Sequence, residues 1–449
     1  MHETRIHRER VDVLVIGGGI AGAAAAAALS PLGLRILIIE PGSRPGRRLA
    51  GELIHPPGIE GLCRLGLLSE PPAPGAEILG FAVFPFGAEP QDPVVLPYGE
   101  AHGQRPFGMA MEHSALKRQL LETVRGFPGV ELRLGGRVTD LKGAPGQPFS
   151  AVVRDPSGAS GDIEARLILG ADGAMSQARK MAGIPHALQR YSGMLGIEVG
   201  DRHLPNKGYG NIFLNPAGVA YAYAIGDGRA RVMFEVLKGA DPETSVRTHL
   251  TSFPPDFRRA VERELAAGKP LAAANYCIVP EASVKANLAL VGDARGCCHP
   301  LTASGITAAV KDAFVLRDAL LEAKLAVPAA LRRYARICGQ LQLTRRTLAE
   351  ELREAFLAET PEALLLSQCI FSYWRSSPRG RSRSMALLST LDSSLMSLGT
   401  QYALVTLHAF RLLPRWARND ALGAWRKGLF TFFARSVAFQ RAALAQRLG

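Results

Sequence analysis

The chain has 449 residues, enough for two or three domains with well-buried cores. Its 47% hydrophobic and 21% charged residues exclude a disordered or fibrous chain. The formal net charge of +13 admits nucleic acid, a membrane surface or an acidic substrate, and the position of that charge decides among them. Six cysteines (Cys63, Cys277, Cys297, Cys298, Cys338, Cys369) show neither CxxC spacing nor a zinc pattern, so no metal is expected and a reduced, cytoplasmic setting is. The polar start MHETRIHRER, followed by only a short apolar run, predicts no cleavable targeting segment.

Val11–Ile16 reads as a buried parallel strand. Gly17-Gly18-Gly19-Ile20-Ala21-Gly22 follows, and an Ala-rich helix runs to about Ser30. Leu34–Ile39 is a second strand, ending at Glu40. This is G-x-G-x-x-G between strand and helix with an acid at the tip of the next strand. Gly17, Gly19 and Gly22 let the backbone and the helix N-terminus at Ile20 and Ala21 approach a pyrophosphate, and Glu40 suits ribose hydroxyls. Arg47 and Arg48 follow, then Gly51-Glu52-Leu53-Ile54-His55-Pro56-Pro57.

Gly80–Phe84 and Val94–Tyr98 read as short strands, and Glu112–Gly126 as an amphipathic helix. Strands Val130–Leu134, Val138–Leu141 and Phe149–Arg154 form a small sheet. The strand Ala165–Leu169 runs into Gly170-Ala171-Asp172-Gly173, and a helix is expected over 172–183. From about 186 to 280 alternating segments predict an antiparallel sheet, with a helical interruption at Thr244–Ala267. Leu288–Val291 is a strand that leads through Gly292-Asp293 and a loop holding Pro300 to a helix opening at Ser304-Gly305-Ile306. That helix end presents unpaired N–H groups and partial positive charge.

The fingerprint, GADG and GDARGCCHPLTASG resemble, in order and spacing, the three motifs of the single-component FAD-dependent aromatic hydroxylase and epoxidase superfamily. Within it, squalene monooxygenase and related bacterial epoxidases are the most similar: RRLAGELIHPPG resembles their arginine-then-GELLQPGG segment, and GDARGCCHPLTASGITAAVKD their GDA-x-x-x-x-HPLTGGGMT-x-x-x-x-D. The resemblance implies an α/β fold. It has a Rossmann-type FAD-binding domain of the para-hydroxybenzoate hydroxylase kind, an antiparallel β-sheet substrate domain and a C-terminal helical region. The implied division is FAD-binding at 10–80, 106–185 and 281–345, substrate domain at 81–105 and 186–280, and a basic helical region at 346–449.

The resemblance also implies site residues. Arg47, Arg48, His113, Val138, Asp172, Gly173, Gly292 and Asp293 would serve FAD, with Asp293 at its ribityl–pyrophosphate part. Pro300, Ala303, Ser304, Gly305 and Ile306 would lie beside the flavin ring, the helix end facing its N1/C2=O edge. His55 and Pro300 are the catalytic candidates. Phe81 and Tyr98 are candidate substrate contacts, with plain core as the alternative. His55 stands where the family has glutamine, Ala303-Ser304 where it has glycines, and Met109 and His113 near family arginines.

The implied reaction inserts one oxygen atom of O2 into an apolar alkene or arene, such as an isoprenoid or a prenylated quinolone or indole. NAD(P)H, or a partner reductase in its stead, supplies electrons, since no second GxGxxG is present. Hydroxylation of a phenol or polyketide stays open, as does a non-oxygenating, lipid-binding flavoprotein. Halogenation is disfavoured, since no W-x-W-x-I-P segment surrounds Trp374, Trp416 or Trp425. From Phe371 onward eleven arginines and Lys427 face only Asp392 and Asp420, so ten of the thirteen net positive charges sit there among Leu and Phe. That composition predicts either helices lying on a membrane surface or an Arg-rich cap packed on the protein, and not a nucleic-acid module.

Overall fold

The apolar run within Arg8–Ile16 becomes the centre of an eight-stranded sheet in the computed structural model, which describes residues 8–42, 49–69, 75–86, 92–103, 106–144, 146–418 and 421–448. From one edge the order is Val284–Lys285, Leu288–Leu290, Ser160–Gly170, Arg8–Ile16, Ile36–Glu40 and Val130–Leu134. The last five of these pair in parallel. Arg137–Lys142 and Ser150–Arg154 continue from Ser160–Gly170 as antiparallel strands. The parallel register brings the C-terminal ends of three strands level, so the glycines after Ile16, the GADG turn and the Gly292 turn meet along one edge.

The helix Ile20–Leu29 is apolar all round, so it is stable only where buried all round. Ala23 to Ala28 are 0–3% exposed, packed between the sheet, the helix His113–Arg125 and the helix Gly305–Glu322. Alanine is the residue that lets these elements approach so closely.

A second sheet has seven strands, in the order Leu271–Pro280, His186–Gly200, Arg229–Leu237, Gly218–Gly226, Gly210–Asn215, Gly80–Phe84 and Val94–Pro97. It is antiparallel except where Gly80–Phe84 joins Gly210–Asn215 in parallel. One face packs on the helices Pro242–Thr251 and Pro255–Ala267 through Phe213, Phe234, Phe253 and Phe257. The helical interruption is thus two helices, because Pro254-Pro255 cannot continue the first. The other face packs on C-terminal helices through Tyr221, Leu365, Trp374, Trp416 and Phe432.

Those helices are Val327–Leu357, Pro361–Ser376, Pro378–Leu388, Leu395–Arg418 and Leu422–Leu448. The first of them runs through the expected boundary at 345/346, so no linker separates the parts there. The basic region is a packed cap, with Trp425 giving its indole N–H to the Ala409 carbonyl at 2.9 Å and Arg435 reaching Glu351 and Glu354. Among the described residues no helix is long and apolar enough to cross a membrane.

The helix expected over 172–183 shrinks to Gln177–Met181. The Asp172 carboxylate accepts from the Ser176 hydroxyl (2.5 Å) and the N–H groups of Gln177 (2.6 Å) and Ala178 (3.0 Å). Those bonds cap a shorter helix, and Gly173 at φ +83° makes the turn before it.

Candidate flavin and substrate site

Gly17 has φ +103°, and a Cβ on it would lie 2.7 Å from the Ala171 carbonyl oxygen, so fingerprint and GADG turn are in backbone contact. A Cβ on Gly22 would lie 2.0 Å from the Gly17 oxygen. Only glycine permits either approach. Gly19 caps the helix Ile20–Leu29 with no side-chain bond, leaving the amides of the first turn to an incoming acceptor. Glu40 accepts from Gly18 N–H at 2.7 Å and Gly42 N–H at 2.9 Å and pairs with Lys117 at 3.0 Å. Lys117 was not foreseen; a lysine on an amphipathic helix carries no local signal of its partner.

The third motif is held from behind. Gly292 (φ +58°) packs on Ala21, where a Cβ would come within 2.7 Å. Its N–H donates to Asp312, which also holds Arg295 by two bonds of 2.9 Å. Buried Arg179 donates to the carbonyls of Ala174 and Ala294, both at 2.8 Å, and so ties the GADG turn to the Gly292 turn. The turn presents Asp293 at the surface beside Gly305, whose Cβ would stand 3.8 Å from its Oδ1.

The loop after His299 makes a tight turn over Pro300–Thr302, with Pro300 exposed on its crest. Ala303 follows at φ +49°, in the left-handed region. This costs a non-glycine residue about 1 kcal/mol, at a position where the related pattern has glycine. The Ser304 hydroxyl pairs with that of Thr302 at 2.9 Å and does not cap the helix, so the amides at Gly305 and Ile306 stay open to a ligand. The Ile306 side chain itself is core, against Gly51.

His55 is fully buried; its Nε2–H donates to the Thr302 carbonyl (2.7 Å) and its Nδ1 accepts from the Tyr98 hydroxyl (2.6 Å). Burial lowers its pKa to about 4. With both ring nitrogens engaged, it braces the Pro300–Thr302 turn. Tyr98 (0% exposed) and Phe81 stack edge-on around His55 among core residues. The side chain of Val138 is buried on the sheet face lined by Leu37, Ile39 and Val153, away from the fingerprint side, so the FAD contact expected of it has no side-chain basis. His113 gives Nδ1–H to the Gly51 carbonyl at 2.9 Å, pinning the GELI segment. Arg47 and Arg48 lie outside the described residues.

Beneath the turn, Nε2 of His299 donates to Glu235 at 3.2 Å, and the Leu301 N–H donates to its Nδ1 at 3.3 Å. Burial pushes the Glu235 carboxyl up, but His299, Ser192 and the Val219 N–H more than offset this, and it is held below its ordinary range. Glu52, just before the short strand Leu53–Ile54, and Arg231 of the seven-stranded sheet, both buried, form a two-bond pair. Around the turn, Leu301 and Ala303 belong to an apolar cluster with Met194, Tyr221 and the cap helices. The hydroxyl of Tyr221 is buried there and has no partner among the described residues.

The glycine cradle, two helix starts without side-chain caps and an exposed aspartate between them are what a dinucleotide needs, and they fit FAD. Fold and site define a dinucleotide-binding flavoprotein. The squalene epoxidase family model matches residues 164–418, and a NAD(P)-binding Rossmann-like model matches residues 15–64. The chain belongs to the squalene epoxidase family and is an FAD-dependent monooxygenase with FAD and NAD(P)H as cofactors.

It is 27% identical over 344 residues to squalene epoxidase erg1 of Schizosaccharomyces pombe, covering 74% of this chain and 73% of that protein. It is 26% identical over 335 residues to the ubiquinone hydroxylase UbiL of Rhodospirillum rubrum, covering 70% and 73%. Among solved structures, Pseudomonas aeruginosa PqsL in complex with 2-aminobenzoylacetate superposes with TM-score 0.67 at 23% identity, covering 78% of this chain and 97% of that one. A Cytophaga hutchinsonii flavoprotein/dehydrogenase gives 0.71 at 19% identity, covering 85% and 93%. At these identities the structures speak for the fold.

Proposed function

We propose that the enzyme epoxidises an apolar alkene, an isoprenoid or the prenyl tail of an aromatic such as a quinolone or indole. The observation that carries this is the state of the histidines. Phenol hydroxylation gains from a base that takes the hydroxyl proton, whereas alkene epoxidation needs none. His55 and His299 have both ring nitrogens bonded, and His113 is tied to Gly51. What surrounds the turn is instead apolar, with the Tyr221 hydroxyl as a neutral donor. FAD, reduced at the expense of NAD(P)H or by a partner reductase, supplies the activation of O2.

The chain's own part is placement. The amides at Gly19–Gly22 and the Asp293 carboxylate hold the dinucleotide, and Glu40 its ribose. The helix end at Ser304–Ile306 sets positive potential at the ring edge. Leu301 and Ala303 belong to an apolar cluster beside the turn, which would keep water from the reacting carbon. The test is NAD(P)H-dependent turnover of prenylated quinolones, indoles and squalene with mass detection. An epoxide or its rearranged diol supports the reading. A phenol as the sole product favours hydroxylation, and NAD(P)H oxidation that no such compound stimulates removes oxygenation of this substrate class.

The cap also suits a membrane surface, peripheral and on the cytoplasmic side, where an apolar substrate dissolves. Leu407, Phe410, Phe430 (78% exposed), Phe433 and Val437 stand outward on the helices Leu395–Arg418 and Leu422–Leu448, beside exposed Arg411, Arg415, Arg418, Arg426 and Lys427. Apolar side chains among cations at a helix surface favour anionic bilayers.

A further inference from the structure

A void opens between the helices Gly305–Glu322 and Val327–Leu357 and the turn that follows helix Pro378–Leu388. Its charges do not balance. Arg295 and Asp312, both nearly inaccessible, neutralise one another through two bonds. Lys311 donates to the Thr390 carbonyl and, at 3.1 Å, to the Ser393 hydroxyl, both neutral. Arg345, 8% exposed, gives Nη2 to the Gly296 carbonyl at 3.2 Å and has no ion-pair partner among the described residues. Asp392 is the one further acid on the lining, and its Oδ1 takes the Ser394 N–H at 2.8 Å. The lining therefore carries one net positive charge.

Its polar atoms are also unfinished. Nε of Arg345, the Thr390 hydroxyl (8% exposed) and both side-chain amide atoms of Gln342 are buried without a partner. Buried polar atoms in folded proteins find partners almost without exception. A water molecule satisfies a hydroxyl or an amide but leaves the charge uncompensated. A halide compensates the charge but offers one acceptor atom to donors that come from three different elements. Several oxygens on one anion compensate the charge and accept from the three donors, Arg345 Nε, the Thr390 hydroxyl and Gln342 Nε2, leaving the acceptor Gln342 Oε1 to water.

We propose that this void is a binding site for a small tetrahedral oxyanion of the phosphate or sulfate class, held by Lys311, Arg345, Gln342 and Thr390. The site touches both the flavin turn and the cap. Arg345 holds Gly296 and Asp312 holds Gly292, the two ends of the turn that presents Asp293, while Thr390 and Ser393 belong to the cap. Occupancy therefore fastens the cap to the turn behind the dinucleotide.

The test uses the full chain loaded with FAD, so that the pyrophosphate positions are already filled. Inorganic phosphate and, separately, sulfate are titrated calorimetrically at an ionic strength held constant with sodium chloride. One saturable site per chain is expected, with a matching rise in melting temperature. Lys311→Met and Arg345→Met should each weaken binding by roughly tenfold or more, the loss of one charge-assisted contact. Lys311→Arg, which keeps the charge, should bind nearly as the parent does. Where a methionine variant fails to fold, Gln342→Leu replaces it: weaker binding supports the site and unchanged binding counts against it. No saturable binding of either anion to the parent, or parental affinity in both methionine variants, overturns the proposal and leaves a hydrated cavity.

Discussion

The Glu235 carboxylate and Nε2 of His299 lie 3.2 Å apart, in a region of the molecule where both residues are 1–2% exposed. Glu235 sits on the interior strand Arg229–Leu237, and His299 precedes the turn at Pro300, so the pair joins the seven-stranded sheet to the loop at the candidate site. The carboxylate is kept ionised by three donors, the third being the Ser192 hydroxyl at 2.6 Å, itself held by Asn275. Glu235→Ala should destabilise the fold by about 3–5 kcal/mol, because it leaves those donors buried and unpaired. Glu235→Gln keeps the volume and should cost about 1–2 kcal/mol. Urea unfolding of both variants checks this, and equal losses would count against a charged Glu235.

Acid sensitivity should originate in part at His55. Its ordinary pKa of 6.5 falls to about 4 in the fold, because burial disfavours the charged ring. The unfolded chain therefore takes up a proton at His55 as pH falls below 6.5, while the folded chain resists until about 4. Stability from this group is complete above 6.5 and is lost across that window, on the order of 3 kcal/mol in all. His102, lowered to about 4 by burial, acts in the same direction. His55→Gln can donate to Thr302 and accept from Tyr98 without titrating. Its stability difference between pH 7.5 and pH 5, values chosen to straddle the upper part of the window, should be smaller than the parent's. An unchanged difference would move the effect elsewhere.

Asp293→Ala should purify with little flavin, since its carboxylate stands between the two helix starts that fit the dinucleotide. Flavin absorbance per mole of protein measures this. A fully yellow variant would remove Asp293 from the site. Gly17→Ala should fail more broadly, because the added methyl meets the Ala171 carbonyl at 2.7 Å and φ is +103°.

Phe430→Asp and Phe433→Asp should leave the melting temperature within about a degree, since both side chains face outward. Together they should reduce co-sedimentation with vesicles containing anionic lipid. Unchanged co-sedimentation would leave the exposed Arg/Phe face as the outer side of a packed cap and nothing more.

The βαβ unit at Val11–Glu40 was legible because each of its requirements is local. A β-branched run, glycines at fixed offsets, an alanine helix and a terminal acid are neighbours in the chain. The Gly292–Gly305 segment was legible for the same reason, down to Ala303 at a place where glycine is the easier choice. The same local reasoning could not supply the surroundings of His55, Tyr98 and Phe81. A residue type marks what a side chain is able to do, whereas its partners decide what it does, and those lie 43 residues away for Tyr98 and 247 for Thr302.

Composition alone likewise left the basic C-terminus undecided between a membrane surface and a cap. Packing of Trp374, Trp416 and Phe432 against the sheet makes it a cap, and its outward Phe430 and Phe433 keep a surface role in play. The sequence by itself determined a flavin-binding α/β chain, since backbone conformation around glycines and the start of a helix are short-range matters. Only the tertiary structure joined Glu52 to Arg231 across 179 residues, Arg179 to Ala294 across 115 and Glu235 to His299 across 64. Each joins a charged group to a partner that no periodicity foretells, because burial of a charge is tolerated wherever the fold happens to bring a complement within hydrogen-bonding distance.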